Sequence, residues 1–203
     1  MRIDPASLSP SAVYYTLIST LVPRPIAWVA TREADGARNL APVSFFSGVV
    51  GRPPTLCFSV GRRGPDTPKD TARNILRSRA FVVNIVPFAL ADAMVATSAE
   101  VPAGVDEATL AGLATVPAAR VAADRVVGSP VQYECELFQH VPIADGEEIT
   151  ADLIIGRIVE IHVDDAVLDE RGRVDPRLLD AVGRMGGAAY CRTGELFERR
   201  RPG

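Results

Sequence analysis

Lysine, histidine and cysteine are all scarce in this chain, and each scarcity excludes a kind of chemistry. Two histidines, His140 and His162, and three cysteines, Cys57, Cys135 and Cys191, are scattered through 203 residues and form no ligand-spaced cluster. A His/Cys metal centre is therefore not expected, and the odd count of cysteines reads as free thiols, with Cys57 and Cys135 as small buried hydrophobes. No apolar run approaches the roughly 18 residues of a membrane span. The opening MRIDPASLSP has acid and proline where an export signal needs an apolar core. These features predict a cytoplasmic protein that makes no use of a membrane. Basic excess is missing too, since the formal net charge is −3, and nothing suggests a nucleic-acid partner.

Standard catalytic signatures are also absent. There is no G-x-G-x-x-G after a strand, no G-x-x-x-x-G-K-[ST], no G-x-S-x-G and no H-E-x-x-H. An enzyme built this way draws its chemistry from a bound cofactor, and the protein supplies binding, position and electrostatics.

What the chain does have is a core and a pattern of strands. Apolar residues make up 47% and charged residues 23%, the balance of a globular protein, and the length suits a single domain over 1–203. PIAWVATR (25–32) and 38–43 flank Asp35-Gly36, a strong hairpin signal. Segments 45–50 and 55–60 read as two more strands joined sharply through two prolines. A helix is expected over 68–78, with Thr67 as its cap and Pro68 at its first position. FVVNIV (81–86) is a buried strand, followed by short helices at 88–97 and 106–113 around the loop 100–105. Strands at 131–140 and 149–163 come next, the latter with Gly156 as an expected bulge, then a short helix at 176–181. Hairpins dominate and βα crossovers are few, which argues for an antiparallel barrel.

The stretch NLAPVSFFSGVVGRPPTLCFSVG (39–61) carries a single charge, Arg52. It offers backbone donors, hydroxyls and aromatic faces but almost nothing that could act as a proton donor or nucleophile. Such a surface suits a flat heteroaromatic ring, with the N–H groups of Leu40, Ala41 and Val43 as candidate donors to its polar edge. Lys69, the one lysine against 21 arginines, begins a helix beside Thr71. A cation, a hydroxyl and a helix N-terminus together suit a phosphate. Trp28 is read as core, His162 as structural, and His140 as the likelier histidine to approach a ligand. Asp145, Glu147 and Glu148 read as a solvated turn.

VPRPIAWVATREADGARNLAP (22–42), SFF (44–46), RPPTLCFSVG (52–61), KDTARNI (69–75), FVVNIV (81–86), SPVQYECEL (129–137), GRIVEIHVDD (156–165) and RMGGAAYCRTGELFE (184–198) occur in an order that resembles the flavin reductase-like, FMN-binding split-barrel family, the group containing flavoredoxin and the nitrilotriacetate monooxygenase reductase component. The resemblance implies a mainly β fold, a six-stranded antiparallel Greek-key split barrel with short flanking helices. It also implies a homodimer with FMN near the subunit interface. Asn39, Leu40, Ala41 and Pro42 would line the isoalloxazine, and Ser44 and Phe45 would continue along the ring and ribityl chain. Ser59, Val60 and Gly61 would follow beneath, while Lys69 and Thr71 hold the phosphate with help from Arg24. Segment 184–187 is expected to close over a site. Gly48, Gly51 and Met185 depart from the family pattern and bear on substrate preference.

The activity expected from this resemblance is NAD(P)H-dependent flavin reduction, with NADH or NADPH as donor and a partner monooxygenase or another electron acceptor as recipient. An FMN-binding electron-transfer protein without direct NAD(P)H activity is the alternative. Pyridoxamine-phosphate oxidase chemistry on the same barrel ranks lower, because a second phosphate needs a richer basic cluster than 39–75 offers.

Overall fold

In the computed structural model, which describes residues 1–64, 67–102, 104–192 and 195–200, strands dominate. Helix α1 (Pro10–Thr20) precedes them, with the Ser9 hydroxyl accepting from the Ala12 N–H at its start. Only Ile18 of α1 is buried, so the helix rides on the surface and leaves no strong apolar period in the sequence. Strand β1 (Arg24–Pro25) leads into the hairpin of β2 (Ala27–Arg32) and β3 (Arg38–Val43). Its turn relies on Gly36, whose φ of 91° glycine adopts without a Cβ penalty.

Strands β4 (Phe46–Gly51) and β5 (Pro54–Gly64) make a second hairpin, and β6 (Thr67–Pro68) folds back on β5. Thr67 is thus in a strand and not a helix cap. Helix α2 (Asp70–Ser78) starts later than the sequence suggests, with Lys69 at its N-cap position and no side chain capping its first turn. Strand β7 (Ala80–Ile85) is buried along most of its length. Helices α3 (Ala91–Ala96) and α4 (Glu107–Leu110) frame the expected loop. Strands β8 (Thr115–Pro117) and β9 (Asp124–Val126) form a small hairpin that the pattern of residues did not announce. The long hairpin of β10 (Val131–Asp145) and β11 (Glu148–Val163) follows, then helix α5 (Pro176–Leu179). Strands β12 (Val182–Arg184) and β13 (Tyr190–Arg192) close a small sheet on β1.

The main sheet runs β3-β2-β7-β10-β11-β5-β4, with β6 on β5, so its path holds seven strands where six were expected. Side chains from β2 (Ala27, Val29), β7 (Phe81, Val83), β10 (Cys135, Leu137), β11 (Ile154) and β5 (Leu56, Phe58) meet in one core with Ala72 and Ile75 of α2. Strands that far apart in the order share a core only if the sheet rolls round it, with α2 plugging the roll. A second core on the other face of β2 gathers Trp28, Val82, Met94, Val126 and Val182. Trp28 is fully buried there and its indole N–H donates to Thr97 Oγ1 at 2.8 Å, so its role is packing. Cys135 is buried as well, and burial pushes its thiol up, out of reach of ordinary thiol chemistry.

Gly156 is not the bulge. Leu137 pairs with Gly156 and Gln139 with Ile155, which leaves Phe138 of β10 as the extra residue. The glycine is needed for another reason: the Phe81 ring lies where its side chain would be. Among the described residues no helix is long and apolar enough to cross a membrane.

Candidate functional site

A cleft of about 610 Å³ opens where β3 and the upper part of β5 leave the roll unclosed. Such a volume is ordinary for a small-molecule or cofactor site. Asn39, Ala41, Pro42 and Val43 of β3, with Ser44 and Phe45 beyond it, form one wall. Ser59, Val60 and Gly61 of β5 form the adjoining wall, with Ser59 N donating to Phe45 O at 3.0 Å, and Lys69, Asp70 and Thr71 bring the start of α2 to one end. Tyr14 of α1, Arg63 of β5, the loop 97–101, Glu107 of α4 and Ala151 of β11 complete the described lining.

Ten of the twelve residues nominated from sequence therefore face one cleft: Asn39, Ala41, Pro42, Ser44, Phe45, Ser59, Val60, Gly61, Lys69 and Thr71. Leu40 and Arg24 do not. Alternation along β3 turns the Leu40 side chain into the second core, where it is 2% exposed. Arg24 is buried beneath the cleft and its guanidinium donates to three carbonyls: Ile18 at 2.6 Å, Leu21 at 2.8 Å and Met185 at 3.0 Å. It touches the site only through Ser44 Oγ at 3.4 Å and the Phe45 ring, 5.7 Å from its carbon Cζ. Three of these bonds tie α1 and the 184–187 segment to the barrel. Segment 184–187 packs with β1 and beside Ser19 of α1 and contributes nothing to the cleft lining.

The backbone donors of β3 are also less open than its sequence suggests. Glu33 N donates to Ala37 O at the hairpin end, and register then places Ala41 opposite Val29 and Val43 opposite Ala27 with their N–H groups turned to β2. Leu40 N points the other way and donates to Glu107 Oε2 at 2.9 Å. Pro42 has no N–H. The outward edge of β3 is therefore largely closed, and polar contact with a ligand falls to side chains and to β5.

The end formed by α2 has a different character. Its first-turn N–H groups have no side-chain cap, and they gather partial positive charge beside the exposed ammonium of Lys69. Thr71 Oγ1 is held in place by Asn39 Nδ2 at 3.1 Å. Asp70 is neutralised on two sides, accepting from Arg63 at 3.0 Å and pairing with Arg73, which also grips Glu33 at 2.7 Å. This chain of charges runs from the β2–β3 turn to the cleft and sets the position of α2. Lys69 itself makes no ion pair among the described residues. The arrangement fits an anion.

Burial raises the Glu107 carboxyl above its ordinary value; the Leu40 N–H opposes this, while Asp70 and Asp106 add to it. Sequence reasoning missed Glu107, Tyr14, Arg63, Asp70 and the loop 97–101, whose places in the lining depend on how remote elements meet. His140, the likelier of the two histidines to approach a ligand, is tied to a carboxylate instead. Its Nε2 lies 2.9 Å from Asp152 Oδ1, which Arg62 also holds at 2.7 Å, and it is not among the cleft residues. His162 is structural as expected, 2.7 Å from the buried Glu134. Among the described residues no group of His, Cys, Asp and Glu is placed to hold a metal ion. The cleft thus combines apolar side chains such as Pro42, Val43 and Phe45 with one end whose charge suits an anion.

Residues 19–188 match the family model for the flavin reductase like domain. An uncharacterised protein of Halalkalibacterium halodurans is 37% identical over 203 residues, which covers all of this chain and 97% of that one. Nitrilotriacetate monooxygenase component B from Bacillus cereus superposes with a TM-score of 0.94 at 30% identity, over 98% of each chain. A Shewanella frigidimarina protein with a split barrel domain superposes with a TM-score of 0.85 at 22% identity, over the whole of both chains. The fold is the mainly β split barrel.

Proposed function

The chain belongs to the flavin reductase-like domain family, and from that premise we propose that it is an FMN-binding oxidoreductase, an NAD(P)H-dependent flavin reductase acting in the cytoplasm. The observation that carries this reading is the meeting of two unlike surfaces in one cleft. Pro42, Phe45 and Val60 supply an apolar bed, and the uncapped start of α2 with Lys69 and Thr71 supplies a phosphate seat at one end. When bound, FMN would supply the capacity to accept a hydride from a nicotinamide and to pass the electrons on.

The residues of this chain would bind and orient. Lys69, Thr71 and the first-turn N–H groups of α2 would fix the phosphate, Ser44 and Ser59 would meet the polyol chain, and Phe45 and Val60 would hold the ring flat. Tyr14, edge-on to Phe45 with ring centroids 6.3 Å apart, would bound the open side, where a nicotinamide could stack. The cleft presents no acid or base in the bed itself, which suits a transfer governed by position and by exclusion of water. Similarity to a monooxygenase component supports a monooxygenase or comparable acceptor as partner. The exposed apolar residues Val49, Val50, Phe138 and Ile161 on β4, β10 and β11 support a homodimer.

The test is anaerobic spectroscopy of the purified protein with FMN, with NADH and NADPH added separately. Rapid bleaching of the flavin absorbance with either nucleotide is the expected result and names the donor. A bound flavin that persists with both would replace the reductase reading with an electron carrier reduced by another protein.

A further inference from the structure

Charge is distributed unevenly around the cleft. Its described lining holds two cations, Arg63 and Lys69, and three carboxylates, Asp70, Glu100 and Glu107. Arg63 is committed to Asp70 at 3.0 Å, so Lys69 and the start of α2 remain to balance a ligand's negative charge. That is enough for one phosphate. Glu107, only 8% exposed, forms part of the cleft wall and would oppose a ligand carrying further negative charge.

Glu107 is held firmly. It opens α4 just after Asp106, whose side chain caps the helix by accepting from Ala108 and Thr109 N–H groups. Its own Oε2 accepts from Leu40 N across the cleft edge at 2.9 Å. A carboxylate fixed by a backbone donor cannot swing out to solvent when a second negative group approaches. Like charges at short range in a partly dehydrated site cost several times what they cost in water.

Resting on the flavin reading above, we propose that Glu107 is a specificity residue of the cleft, one that admits a flavin ending in a single phosphate and disfavours one extended by a second phosphate, as in FAD. Glu100, exposed on the neighbouring loop, acts in the same direction with a weaker hold.

The experiment is a set of fluorescence titrations of the full chain with riboflavin, FMN and FAD, at about pH 8 where an ordinary carboxyl is fully ionised. The wild type is expected to bind FMN at least about tenfold more tightly than FAD. Glu107→Gln keeps a carbonyl for the Leu40 N–H, and it is expected to narrow that gap by about tenfold while riboflavin affinity stays within about twofold. Glu100→Gln, on an exposed loop, should narrow it less and guards against a folding defect in the first variant. Equal affinity of the wild type for FMN and FAD would overturn the proposal. So would an unchanged gap in a Glu107→Gln protein that melts as the wild type does. If none of the three flavins binds, the flavin reading itself fails, an outcome distinct from loss of selectivity.

Discussion

Gly156 and the ring of Phe81 face each other across the rolled sheet with no room for a Cβ between them, and a Cβ at Gly156 would also lie 3.2 Å from that of Cys135. Phe81 is fully buried and stacks edge-on with Phe58 at 5.4 Å, so it has no empty space to move into. Gly156→Ala should destabilise the protein by about 1–3 kcal/mol, the cost of overpacking a closed core. Thermal denaturation reads this directly. Phe81→Leu in the same chain should recover part of the loss, because the two changes share one contact. An unchanged melting temperature in Gly156→Ala would mean that the sheet curls less tightly than described.

Arg24 acts as a clamp between α1, the 184–187 segment and the barrel. Replacing its planar fork by a single ammonium in Arg24→Lys leaves buried carbonyls short of donors. The expected loss is about 1–3 kcal/mol of stability. The ratio of FMN to riboflavin affinity should not change, since that ratio isolates the phosphate. A fall in the ratio would return Arg24 to the phosphate site, where the sequence reading had put it.

The local parts of this structure were legible in the sequence, and the parts that depend on remote meetings were not. Asp35-Gly36 between two β-prone runs declared the first hairpin, and β7 declared itself by an apolar run interrupted only at Asn84. The cleft's two long walls were visible because each is one continuous segment, 39–45 and 59–61. Helix α1 stayed hidden, since with one buried residue it has no apolar stripe to reveal. Leu40 was misjudged for a related reason. It sits among cleft residues in sequence, but period-two alternation sends its side chain to the opposite face. Glu107 lies 67 positions from its partner Leu40, and no spacing rule connects the two.

Lys69→Ala should weaken FMN binding by about 1.5–3 kcal/mol, the scale of a charge-assisted hydrogen bond. Lys69 is exposed at a helix start, so the fold should tolerate the change. Riboflavin, which lacks the phosphate, should bind the variant and the wild type alike. Fluorescence titration with both ligands separates the contributions. Equal weakening of both would show that Lys69 acts on the ring or polyol and not on the phosphate.

Glu134 makes acid stability a measurable property of one side chain. It is fully buried in β10 and accepts from Ala119 N at 2.7 Å, from Arg120 N at 2.6 Å and from His162 Nε2 at 2.7 Å. Burial alone would raise its carboxyl, but these three partners outweigh burial and hold it below its ordinary value of 4.5. The folded state therefore favours the charged form. The resulting stabilisation is complete above that ordinary value and is lost as pH falls through the depressed folded value. In Glu134→Gln the charge is gone and the amide NH₂ that replaces one oxygen confronts a backbone donor, so stability near neutral pH should drop by about 2–4 kcal/mol. The variant's melting temperature should also decline less steeply than the wild type's as the solution is acidified below pH 4.5. Melting curves across that range provide the check. Parallel slopes in the two proteins would mean that other carboxylates, such as Asp152 between Arg62 and His140, govern the acid limb instead.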